Sequence, residues 1–154
     1  MSSNRVPWIT NVLCAGVIAG TLDIGAAALI NLHNPVAILQ GIASVAFKSA
    51  PLAGETLSAV IGLFVQWGLS VLIAAIGIGF SVRVRALRER WVAAGLAYGV
   101  VIFGVMNYIV LPLSRFGHVP HFTPFRFLAN VIAMLGFGLI VMAFGRDRRS
   151  ADRS

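Results

Sequence analysis

Four stretches of this chain are apolar for longer than a soluble fold requires: about residues 8–32, 56–80, 91–113 and 127–144. A hydrocarbon core about 30 Å thick is crossed by about 20 helical residues, each rising about 1.5 Å. The first three stretches exceed that length, and the fourth, at 18 residues, just reaches it. Backbone groups inside lipid have no water to bond, so each stretch must satisfy its own amides as a helix rather than a strand. Only 11% of the residues are charged, whereas a soluble domain carries about 25%. The expectation is an all-α integral membrane four-helix bundle, one transmembrane domain over residues 1–154. The first stretch far exceeds the roughly 7–15 apolar residues of a cleaved signal and reads as a retained span.

The short connections set the orientation. Arg5, then Arg83, Arg85, Arg88 and Arg90, then Arg146, Arg148, Arg149 and Arg153 lie at one end of the spans. Lys48, Arg115 and Arg126 lie at the other. Nine basic residues against three place the first end in the cytoplasm, both termini included. The net charge of +7 is therefore a topology signal. Nucleic acid is not an expected partner, because no soluble surface is left to bind it.

The connection after span 1 is itself apolar. Asn34-Pro35 is a good N-cap followed by proline at the first helical position, and Val36, Ile38, Leu39, Ile42, Val45 and Phe47 follow. The pattern predicts a short helix from about Pro35 to Phe47, at the outer interface or dipping into the bundle, closing the bundle or covering a site. The connection after span 3 holds His118 and His121 within HVPH. Two histidines are a weak metal signal, because stable sites use three or four ligands. Solvated interfacial imidazoles are the simpler reading, and neither metal nor cofactor is expected. Cys14 is the one cysteine, so an intrachain disulfide is excluded, and it reads as a small buried apolar residue.

Helical spacing shows which faces should meet. Gly16, Gly20, Asp23, Ala27 and Asn31 form one stripe on span 1, and Ser58, Gly62, Gln66 and Ser70 another on span 2. Gly16, Gly20 and Gly62 are expected to let neighbouring backbones approach. Asp23 lies nine residues, and Gln66 ten, from the outer ends of their spans. Both therefore sit roughly 15 Å below the outer surface. Asn107, Tyr108 and Asn130 lie above them. Asp23 is the one acidic side chain within a span. A carboxylate at that depth costs about 2.5–3.5 kcal/mol or more to insert, so it must face inward and find a partner. Asp23 is either a structural carboxyl bonded to Gln66 or a proton-linked or cation-contacting group. Trp8, Trp91 and Tyr108 sit where aromatic belts form, whereas Trp67 is deeper and reads as packing.

The runs AGTLDIGAAALI, PVAILQGIAS, GLFVQWGLS and VMNYIVLPLS together resemble a widespread group of small bacterial inner-membrane proteins of the YagU-like kind. The resemblance implies a bacterial inner-membrane location and no established activity. No hydrolase constellation, phosphate loop or paired intramembrane carboxylate is visible. The reading is a non-enzymatic multi-pass protein with a polar pocket in the outer half of the bundle. Asp23, Gln66, Asn107, Tyr108 and Asn130 would serve a small or lipidic ligand or support a membrane complex. The alternative is a small proton-coupled transporter or channel acting as a homo-oligomer, because four helices alone rarely enclose a pathway. The expected partners are the lipid bilayer and a second copy or another membrane protein.

Overall fold

The structure, a computed structural model, describes residues 5–31, 34–46, 55–110 and 123–146. Every element among them is helical: α1 (Arg5–Asn31), α2 (Pro35–Ala46), α3 (Glu55–Arg83), α4 (Arg85–Glu89), α5 (Trp91–Val105) and α6 (Pro124–Arg146). One π-helical turn, Met106–Val110, continues α5. Four segments are long and apolar enough to cross a membrane: Trp8–Ile30, Thr56–Arg83, Trp91–Ile109 and Pro124–Arg146. The chain is a multi-pass membrane protein, with the short helix α2 between its first two spans.

The ends of these helices follow local chemistry. Asn34 caps α2 as its sequence suggests, its Oδ1 accepting the Val36 N–H at 3.0 Å. Span 4 begins three residues earlier than its hydropathy implies, because Thr123-Pro124 forms a cap: Thr123 Oγ1 accepts the Arg126 N–H at 3.4 Å and its carbonyl accepts the Phe127 N–H at 2.9 Å. It also runs on to Arg146, so it is 23 residues long and spans with margin. Residues 111–113, expected to finish span 3, lie outside the described residues. Val84 (φ −110°, ψ 105°) breaks the chain between α3 and α4, and Arg90 (φ −112°, ψ 45°) turns it into α5.

Packing is organised by one stripe on α3. Gly62, Gln66, Ser70, Ala74, Gly77 and Ser81 recur at steps of four or three, and all are buried. Small side chains there let other helices approach closely, the usual source of attraction between helices in lipid. From the Glu55 end toward Arg83 the stripe meets α2 at Gly62, α1 at Gln66 and Ser70, and then α5 and α6 at Gly77 and Ser81. A Cβ on Gly62 would press into the main chain of Leu39. One on Gly16 would stand 2.5 Å from Val71 Cα, and one on Gly20 2.6 Å from Ser70 Oγ. Helices α5 and α6 meet through Gly95, Gly99 and Gly138, where a Cβ on Gly99 would stand 2.5 Å from the Met134 carbonyl oxygen. Helix α6 packs against α1, α3 and α5.

The buried core mixes small side chains, Val12, Ala15, Ala19, Ala74 and Val141, with Ile78, Ile102 and Phe137. Large apolar side chains such as Phe64, Leu29 and Phe125 point outward. Large apolar side chains are thus as common outside as inside, as expected where the surroundings are as apolar as leucine.

Candidate polar site between the first two spans

Asp23 and Gln66 meet. The Gln66 Nε2–H donates to Asp23 Oδ2 at 2.9 Å, across the contact between α1 and α3. Both sit on the small-residue stripes that bring these helices together, so close backbones deliver the two side chains to each other. Gln66 is buried and Asp23 half-buried. Gln66 is the hydrogen-bond partner of Asp23 among the described residues, so one of the two carboxylate oxygens carries the contact. One turn toward the Glu55 end of α3, Leu39 of α2 lies on Gly62, so α2 packs on the same face of α3 as Gln66, one turn away. Gly62 is six residues along span 2 from Thr56, and α2 therefore meets that span about 9 Å from its Thr56 end.

A second polar pair adjoins the first. The Trp67 indole N–H donates to Thr21 Oγ1 at 3.2 Å, and the Thr21 hydroxyl donates to its own helix at Val17 O, 2.7 Å away. Trp67 thus hydrogen-bonds as well as packing edge-on against Phe64, with ring centres 6.2 Å apart. Thr21 lies off the stripe of Asp23 and gave no periodic signal. The long indole reaches it around the side of α1.

The remaining candidates do not converge on this site. Asn107 is buried, but its Nδ2 donates to Phe103 O of its own helix at 2.9 Å. Asn130 likewise bonds Arg126 O, at 2.8 Å. Tyr108 is 59% exposed on the outside of the bundle. The reason lies in helix pairing: α5 packs most closely on α6 through glycines, and Asn107 and Asn130 each bond their own helix. His118 and His121 lie outside the described residues, as does His33. Cys14 is exposed and not buried as expected, because α1 turns its Gly16 and Gly20 face to α3 and leaves Cys14 on an outward side.

Tyr98 is a polar contact that the sequence did not single out. Its hydroxyl donates to Ile73 O at 2.6 Å and ties α5 to α3 deep in the bundle. Gly77 makes room for the ring, since a Cβ there would stand 2.7 Å from Tyr98 Cε1. The available signal was a tyrosine between Gly95 and Gly99, one residue short of the contact face.

The chain matches no protein-family model, and no curated protein or solved structure matches it.

Proposed function

We propose that this chain is a non-enzymatic protein of the bacterial inner membrane, with both termini cytoplasmic, and that the Asp23–Gln66 pair under α2 binds a small or lipidic ligand. The observation that carries this reading is the placement of the pair. A half-buried carboxyl at membrane depth is bonded through one oxygen and roofed by a short helix. A ligand offering a hydroxyl or amine to the carboxyl and an apolar body to the spans fits that chemistry. The asymmetric distribution of arginines supports the orientation. The resemblance to small YagU-like proteins supports the location.

A proton-coupled carrier would need polar groups to continue inward. Below Gln66 the stripe runs through Ser70, Ala74 and Gly77 to Ser81, whose hydroxyl is taken by Ile78 O of its own helix at 2.8 Å. That arrangement favours a site over a pathway.

The test is native mass spectrometry of the full-length protein released from native lipid, beside Asp23→Leu and Asp23→Asn. The wild type should carry a bound small molecule that Asp23→Leu lacks and Asp23→Asn retains weakly. Equal loading of all three would refute the site. Proton flux in liposomes that Asp23→Asn abolishes would favour the carrier instead.

A further inference from the structure

The arginine-bearing end of the bundle is built more specifically than topology alone requires. Six arginines lie on described helices at that end: Arg5, Arg83, Arg85, Arg88, Arg90 and Arg146. Glu89 is the one acidic residue described beside them, and it is occupied by Arg85 at 2.7 Å. That exposed pair contributes little stability, but it removes the local counter-charge. Arg83, Arg88, Arg90 and Arg146 have no acidic partner among the described residues. The guanidinium of Arg146, at the end of α6, stacks over the Trp91 ring at the start of α5, 5.5 Å from its centre. Trp91 and Arg88 are half-buried, and α4 touches both α5 and α6. The two breaks at Val84 and Arg90 thus set the exposed, arginine-rich connection against the ends of α5 and α6.

We infer that this corner, formed by Arg88, Arg90, Trp91 and Arg146, is a binding site for the phosphate of an anionic phospholipid headgroup. Several features of the corner fit that partner. The fork of a guanidinium matches phosphate oxygens two at a time, and stacking on Trp91 holds the fork of Arg146 in one plane. An indole at the end of a span sits at headgroup level, beside lipid phosphates. The exposed side chains of Val84 and Val92 flank the corner and would lie against acyl chains. The corner is cationic and the exposed Val84 and Val92 beside it are apolar, which suits an amphiphile better than a free anion. This inference is independent of the Asp23–Gln66 site and rests only on the membrane-spanning fold.

The full-length protein, purified in a neutral detergent, is titrated with phosphatidylglycerol, cardiolipin or phosphatidylcholine, and retained lipid is counted by native mass spectrometry. The anionic lipids should be retained and phosphatidylcholine should not. Each arginine removed should weaken retention about fivefold at low salt, so the triple change Arg88→Gln, Arg90→Gln, Arg146→Gln should lower it about a hundredfold. Arg126→Gln, at the opposite end of the bundle, should leave retention unchanged. Glu89→Gln frees Arg85 and should strengthen retention several-fold, an outcome that loss of folding cannot imitate. Millimolar inorganic phosphate should not displace the lipid. Equal retention of phosphatidylcholine, displacement by phosphate, or no response to Glu89→Gln would overturn the assignment.

Discussion

Gly62→Ala is the sharpest probe of how α2 is held. A Cβ at this position would stand 2.6 Å from the Leu39 carbonyl carbon and 3.0 Å from Leu39 Cα. Carbon atoms in contact rest about 3.5–4.0 Å apart, so α2 must withdraw by about 1 Å. The obstacle is main chain, which no rotamer change can move aside. Overpacking of this kind costs about 1–3 kcal/mol, and the upper half of that range applies where backbone meets backbone. Alanine also improves helix propensity over glycine by up to about 1 kcal/mol, which would mask part of the loss. Gly68 supplies the control, since it lies on the same helix with nothing within 4 Å of its Cβ position. The propensity gain is common to both variants, so their difference isolates the overpacking term of about 1–3 kcal/mol. Equilibrium unfolding by SDS in mixed micelles, followed by tryptophan fluorescence, reads that difference directly. If Gly62→Ala is as stable as Gly68→Ala, the close crossing of α2 on α3 is wrong, and with it the roof over Gln66.

Two further outcomes are expected. Tyr98→Phe removes the bond to Ile73 O while keeping the ring, and should cost about 0.5–1.5 kcal/mol in the same unfolding assay; an unchanged midpoint would mean that the hydroxyl does not tie α5 to α3. Because Cys14 is exposed, topology mapping needs a Cys14→Ser background. With single cysteines at positions 2, 49 and 154, an impermeant maleimide should label only position 49 in intact cells, and labelling of either terminus would reverse the orientation.

The pairing of Asp23 with Gln66 was readable because two independent coordinates pointed to it: each residue's stripe and its depth. The helix after span 1 was readable because Asn34-Pro35 states its start locally. Depth without a helix-pairing rule was not enough for Asn107 and Asn130. Each is short enough to bond the carbonyl one turn back on its own helix, and nothing in hydropathy says that α5 prefers α6. That preference comes from Gly95 and Gly99 meeting Gly138, backbone on backbone, which becomes clear only once the two helices are placed together. Cys14 failed for a related reason. Nothing on a helix apolar all round says which side faces lipid, except the glycines that face a neighbour. Thr21 and Tyr98 contribute polar contacts from just beside the stripes, where long side chains reach partners that periodicity does not point at.

The unbroken stripe on α3 makes that helix far less tolerant of a change in length than of a change in residue. A substitution on its outward side, at Leu72 or Ile76, alters mainly what touches lipid. One residue inserted between Gln66 and Ala74 would turn everything beyond it by about 100°. Gly77 and Ser81 would then swing away from Tyr98 and Gly145 while Gly62 and Gln66 kept their partners. The helix behaves as a ruler whose marks are spaced by its pitch, so descendants of this chain can drift freely in its apolar letters but hardly in the count between them.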